Sequence, residues 1–115
     1  SKALRYCLIW NYDESLKSAL PEGEVPYEPN PSPTPESQSK LASEYRTLYN
    51  FIEGGNYDIN NTRREGLFIQ LLESLSPDEA EVLCLVKDKK LAKKYRCSFP
   101  VVQEAYPDIK WGGRV

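Results

Sequence analysis

Six of the fifteen residues from Pro21 to Pro35 are proline, and from Pro29 onward every second residue is one. Each ring restricts φ, removes a backbone donor and pushes the preceding residue out of the helical region. Such a stretch joins neither a helix nor a sheet ladder. It predicts an extended, polyproline-like arm over about residues 21–36, lying outside whatever core the rest forms. The arm divides the chain into an N-terminal helical segment, 1–20, and a helical core domain, 37–115. At 115 residues the whole is one domain's worth.

In the first segment Leu4, Cys7 and Leu8 fit a short helix. Trp10 and Tyr12 fall at a break, and Asp13 reads as the N-cap of a second helix with Leu16, Ala19 and Leu20 on one face. After the arm, Ser37-Gln38-Ser39 opens an amphipathic helix whose stripe is Leu41, Tyr45, Leu48, Tyr49 and Ile52, ended by Gly54-Gly55. Asn60 or Asn61 caps a long helix with Leu67, Phe68, Leu71, Leu72 and Leu75 on its inner face. Ser76-Pro77-Asp78-Glu79 is a start signal, with serine as cap, proline at the first position and acids in the first turn. Its helix turns Ala80, Leu83 and Val86 inward. Ser98 caps a last short helix that stops before Pro107. No β-alternation lasts more than a few residues. The fold class is all-α, a small helical domain of about five helices, with Leu48, Ile52, Phe68, Leu71, Leu72, Leu75 and Leu83 in one core.

Composition limits the chemistry. The chain has no histidine, which removes Ser-His-Asp and Cys-His nucleophiles and imidazole zinc sites. Cys7, Cys84 and Cys97 are widely spaced and odd in number, which reads as three reduced thiols and a reducing compartment. No apolar run is long enough to cross a bilayer, so no membrane partner is expected. Asp58-Ile59-Asn60 begins like a calcium loop but lacks the glycine and the terminal glutamate. Glu73, Asp78, Glu79 and Glu81 crowd a helix joint as capping and surface charge. No catalytic residue, metal site or cofactor is expected, and the chain reads as a non-enzyme.

Two groups of residues are candidates for contacts. Lys87, Lys89, Lys90, Lys93, Lys94 and Arg96 put six cations in ten residues. On a continuing helix Lys87, Lys90 and Lys94 would share one face and Lys89, Lys93 and Arg96 the next, a possible polyanion surface or else a solvated helix end. The net charge is −2, and the acidic excess lies in the first half, which disfavours a general nucleic-acid binder. The second group is partner-binding: Pro26, Tyr27, Pro29, Pro31 and Pro33 on the arm, with Arg63 and Arg64. Both arginines open a helix against its dipole, so each should answer to an acid, inside the protein or on another chain. Tyr27, Tyr45, Tyr49, Tyr57 and Tyr95 suit half-buried contacts, in an interface or in a small core under the arm.

Certain motifs in order carry a resemblance. They are Leu20-Pro21-Glu22-Gly23 through Pro26-Tyr27, Arg63-Arg64-Glu65 through Phe68-Ile69-Gln70-Leu71-Leu72-Glu73, Pro77-Asp78-Glu79-Ala80, Lys87-Asp88-Lys89-Lys90, and Val102-Gln103-Glu104-Ala105-Tyr106-Pro107. Over nearly the whole chain they resemble a small uncharacterised family of T4-like tailed bacteriophages, including those of marine cyanobacteria. That family usually carries a further N-terminal helical stretch, which implies that Ser1 begins the ordered part of a longer protein. It has no assigned activity. The resemblance implies a phage protein, expected as a non-enzymatic accessory component of the virion, assembled in the host cytoplasm and seated on capsid, neck or tail proteins. The alternative is an intracellular accessory factor that binds replication or transcription machinery, or nucleic acid through Lys87–Arg96.

Overall fold

The computed structural model describes residues 2–29, 41–95 and 98–112. Pro31, Pro33, Arg96, Cys97 and the helix start at Ser37-Gln38-Ser39 lie outside the described residues. Among the described residues five α-helices follow in order: α1 (Lys2–Tyr12), α2 (Leu41–Glu44), α3 (Asn61–Ser74), α4 (Pro77–Lys87) and α5 (Phe99–Ala105). A 3-10 helix, Tyr45–Phe51, continues α2, and a second, Leu91–Lys93, follows α4. The fold is all-α; among the described residues the only β-type pairing is an isolated bridge between Ser18 and Ile52.

α1 lies against α4 and α2, and α3 against α4 and the long 3-10 helix. One core joins them, drawing on Ala3, Cys7, Leu8 and Trp10 as well as on Val102. All seven residues expected at its centre are buried in it. The caps of α3 and α4 are local and hold as anticipated. The Asn60 side chain accepts the N–H of Arg63 (2.7 Å), and Ser76 accepts that of Glu79 (3.3 Å) with Pro77 opening the helix.

Two expected helices take another form. The second helix after Asp13 is absent. The Asp13 carboxylate is buried and accepts the backbone N–H and the hydroxyl of Ser15, an Asx turn that diverts the chain. The following residues then pair with the 3-10 helix end: Ala19 N–H donates to Phe51 O (2.8 Å) and Glu53 N–H to Lys17 O (2.8 Å). Trp10 and Tyr12 belong to α1 and mark no break.

The expected 41–52 helix winds tighter. A 3-10 helix has ~3 residues per turn, so its buried face recurs every third residue. Tyr45, Leu48 and Phe51 are the buried ones, while Tyr49 is 54% exposed. Phe51 therefore replaces Tyr49 on the inner face and stacks edge-to-face on Phe68 (5.0 Å). Ile52 is buried too, as the extended residue that closes the helix.

Candidate functional site

Residues 21–29 run without helix or strand, as the prolines dictate, across α3 and α4. Val25 and Tyr27 turn partly into the core, leaving Pro26 and Pro29 exposed. Five contacts hold the arm's backbone and flank. The Lys87 ammonium donates to Pro21 O (2.7 Å) and Gly23 O (3.1 Å). Gly23 N–H donates to an Asp88 carboxylate oxygen (3.2 Å), Glu22 pairs with Lys90 (3.2 Å), and Glu28 N–H donates to Glu73 (2.8 Å). Gly23 sits at φ +109°, where a side chain would be strained, so both its backbone groups can face this anchor. Burial, then the neighbouring Cys84, raises the Tyr27 hydroxyl above its ordinary pKa.

The lysine run does not form two helical faces. α4 ends at Lys87, where Lys89 N–H donates to Val86 O and Lys90 N–H to Leu85 O, a Schellman closure. The left-handed position that glycine usually fills holds Lys89 at φ +57°. Its ammonium reaches back to Trp10 O and Asp13 O (both 2.8 Å), the carbonyl end of α1. Burial lowers the Lys89 pKa, against the opposing pull of Asp13 and Glu14. Lys87 is almost wholly buried, with the Asp88 carboxylate as counter-ion. Lys94 pairs with Glu81, whose carboxylate raises its pKa. Lys90, Lys93 and Lys94 remain within reach of solvent.

The arginine pair splits as well. The Arg63 side chain is exposed, whereas Arg64 is buried. Among the described residues Arg64 meets no acid; it donates to Asn50 O (2.8 Å), Asn56 O (3.0 Å), Ile59 O (3.3 Å) and the Asn61 side-chain oxygen (2.6 Å). A fork of fixed N–H groups suits such a ring of carbonyls as well as it suits a carboxylate. For Arg64 the expected acid inside the protein is thus replaced by carbonyl oxygens. The misfit of an arginine with the helix dipole was the signal; the identity of its acceptors was not readable.

Of the tyrosines, Tyr45 is core and Tyr27 half-covered, while Tyr49, Tyr57 and Tyr95 are exposed. Sequence reasoning missed the node at Asp13, whose second oxygen takes the N–H of Gly112 (2.9 Å). It also missed the relay from Trp10 Nε1 through the Ser18 hydroxyl to Lys87 O. Among the described residues no group of three or more acids and cysteines could hold a metal ion, and no helix is long and apolar enough to cross a membrane.

A family model described as a family of unknown function (DUF6433) matches residues 1–93. The chain belongs to DUF6433. The matched span of DUF6433 takes in the arm, the Arg64 cluster and the Lys87 anchor. No curated protein and no solved structure matches the chain.

Proposed function

We propose that the chain is a non-enzymatic phage protein, an accessory structural component of the virion that works by protein–protein contacts at capsid, neck or tail. The phage origin rests on the ordered motifs from Leu20-Pro21 to Tyr106-Pro107. The observation that carries the contact role is the arm. Its base is clamped by a buried lysine through bonds to backbone, while Pro26 and Pro29 face outward. A proline-rich segment already held extended loses little entropy when it lies along a neighbour. Arg63, exposed at the start of α3, is a further contact candidate.

The nucleic-acid alternative has less to draw on. The ammonium groups of Lys87 and Lys89 are committed to carbonyls inside the fold, and Lys90 and Lys94 each face an acid. Mass spectrometry of purified virions tests the proposal. The chain should be found in intact particles at a reproducible copy number, and its absence from them would overturn the reading. Anisotropy with labelled DNA and RNA tests the alternative. Submicromolar binding at about 150 mM salt, lost in a Lys90→Glu, Lys94→Glu variant, would favour the nucleic-acid role.

A further inference from the structure

We infer that the groove between the arm and α3 is a socket for an arginine side chain on a basic segment of a partner protein. The inference deepens the contact role proposed for the arm and rests on it. The groove has a volume of about 200 Å³. Leu20 and Phe68, both buried, lie at its base, with Val25 of the arm and Ile69 of α3 half-buried above them. Its lining also takes in Glu24 from the arm and Glu65 from α3, one acid from each side, and both are exposed. Among the described residues neither carboxylate is paired with a cation. The arm's wall stands before any partner arrives, because Lys87 fixes its backbone at Pro21 and Gly23 and Glu73 fixes it at Glu28. Such pre-organisation lowers the entropy lost on association.

An apolar base under two unpaired acids selects a side chain with an apolar stem and a cationic end. Arginine lays its methylenes along apolar surface while its head stays at the water. Its planar fork of donors can meet a carboxylate on either side, where an ammonium offers only a point charge. A wholly apolar or anionic segment would instead leave both carboxylates covered and unpaired. Nothing nearby competes for the acids. Lys87, the one cation in the lining, is turned to backbone carbonyls and neutralised by Asp88, and Lys90 pairs with Glu22 at the arm's base. No cation occurs in the sequence from 18 to 39, nor from 65 to 86. Glu28 and Glu73, joined where the arm crosses the end of α3, continue the acidic line beyond the groove. Further cations on the same segment therefore meet unlike charge along the arm.

Amide chemical shifts of the full chain, titrated with the capped tripeptide alanyl-arginyl-alanine amide to about 20 mM, test the socket independently of any virion inventory. Saturable shifts should centre on Val25 and Ile69, with a Kd on the order of 1 mM that weakens with salt. The norleucine counterpart, which keeps an apolar stem without the charge, should bind about tenfold more weakly, and the lysine counterpart between the two. Glu24→Gln and Glu65→Gln, both at exposed positions, should each weaken the arginine peptide about threefold while leaving the melting curve in place. Glu53→Gln, an exposed acid outside the groove, should leave binding unchanged. Absence of saturable shifts at Val25 and Ile69 overturns the inference, whether or not the chain is found in particles. It is overturned equally by a norleucine peptide that binds as tightly as the arginine one, or by a Glu24→Gln, Glu65→Gln chain that binds like wild type.

Discussion

Arg64 and Cys7 show how single side chains were committed by burial. Arg64 carries four hydrogen bonds to acceptors on three stretches of chain, the 3-10 helix, the loop after it and the start of α3. Arg64→Ala leaves those acceptors without a donor and should cost about 3 kcal/mol in urea denaturation. Arg64→Lys should recover less than half of that, because an ammonium cannot reproduce the planar fork. Cys7 sits under α4, where burial first and the Glu79 carboxylate second push its thiol from 9.0 up to about 12. The unfolded thiol ionises near 9 and the native one only near 12. Between those values the unfolded state holds fewer protons, so this contribution to stability is intact below pH 9 and is lost as pH rises towards 12. One such group contributes a slope of at most about 1.4 kcal/mol per pH unit. Cys7→Ala should therefore lose less stability than wild type between about pH 8 and pH 10.5, measured by denaturant midpoints. Equal losses would remove Cys7 as the source.

The helix after the arm illustrates how winding decides burial. With Tyr45, Leu48 and Phe51 in register at every third residue, Phe51→Ala should cost about 3–5 kcal/mol and Tyr49→Ala within about 0.5 kcal/mol. An α-helical register would make Tyr49 the costlier loss, so thermal denaturation of the pair separates the two windings. α4 ends by a comparable choice. Placing Lys89 in the left-handed region costs on the order of 1 kcal/mol, which its two bonds to the end of α1 offset. The arm depends on the same stretch. Lys87→Met keeps the length of the side chain and removes the ammonium, so amide exchange should quicken across residues 21–28 while that of α3 stays slow. Unchanged exchange at Gly23 would mean that Asp88 and Lys90 hold the arm without it.

Helices from both ends of the chain meet in one core, so the molecule should unfold in a single transition. Leu72, wholly buried, is the sharpest probe of it: Leu72→Ala should cost about 2–5 kcal/mol, and more than Leu71→Ala, whose side chain keeps some exposure. A Leu72→Ala chain melting like wild type would contradict the assigned core. The features legible beforehand were the local ones. Prolines between 21 and 29 ruled out helix bonds by themselves, and the caps at Asn60 and Ser76 act on an N–H three residues away. Apolar residues at helical spacing on α3 and α4 already marked the inner faces. Long-range bonds settled the rest. Lys87 reaches a carbonyl 66 residues away, the Asn11 side chain takes the N–H of Leu91 across 80, and Asp13 that of Gly112 across 99. In each case one partner is a backbone group, which every position offers whatever its side chain. No residue pattern marks such a partner in advance, so a run of six cations looked like a surface until the fold turned Lys87 and Lys89 inward.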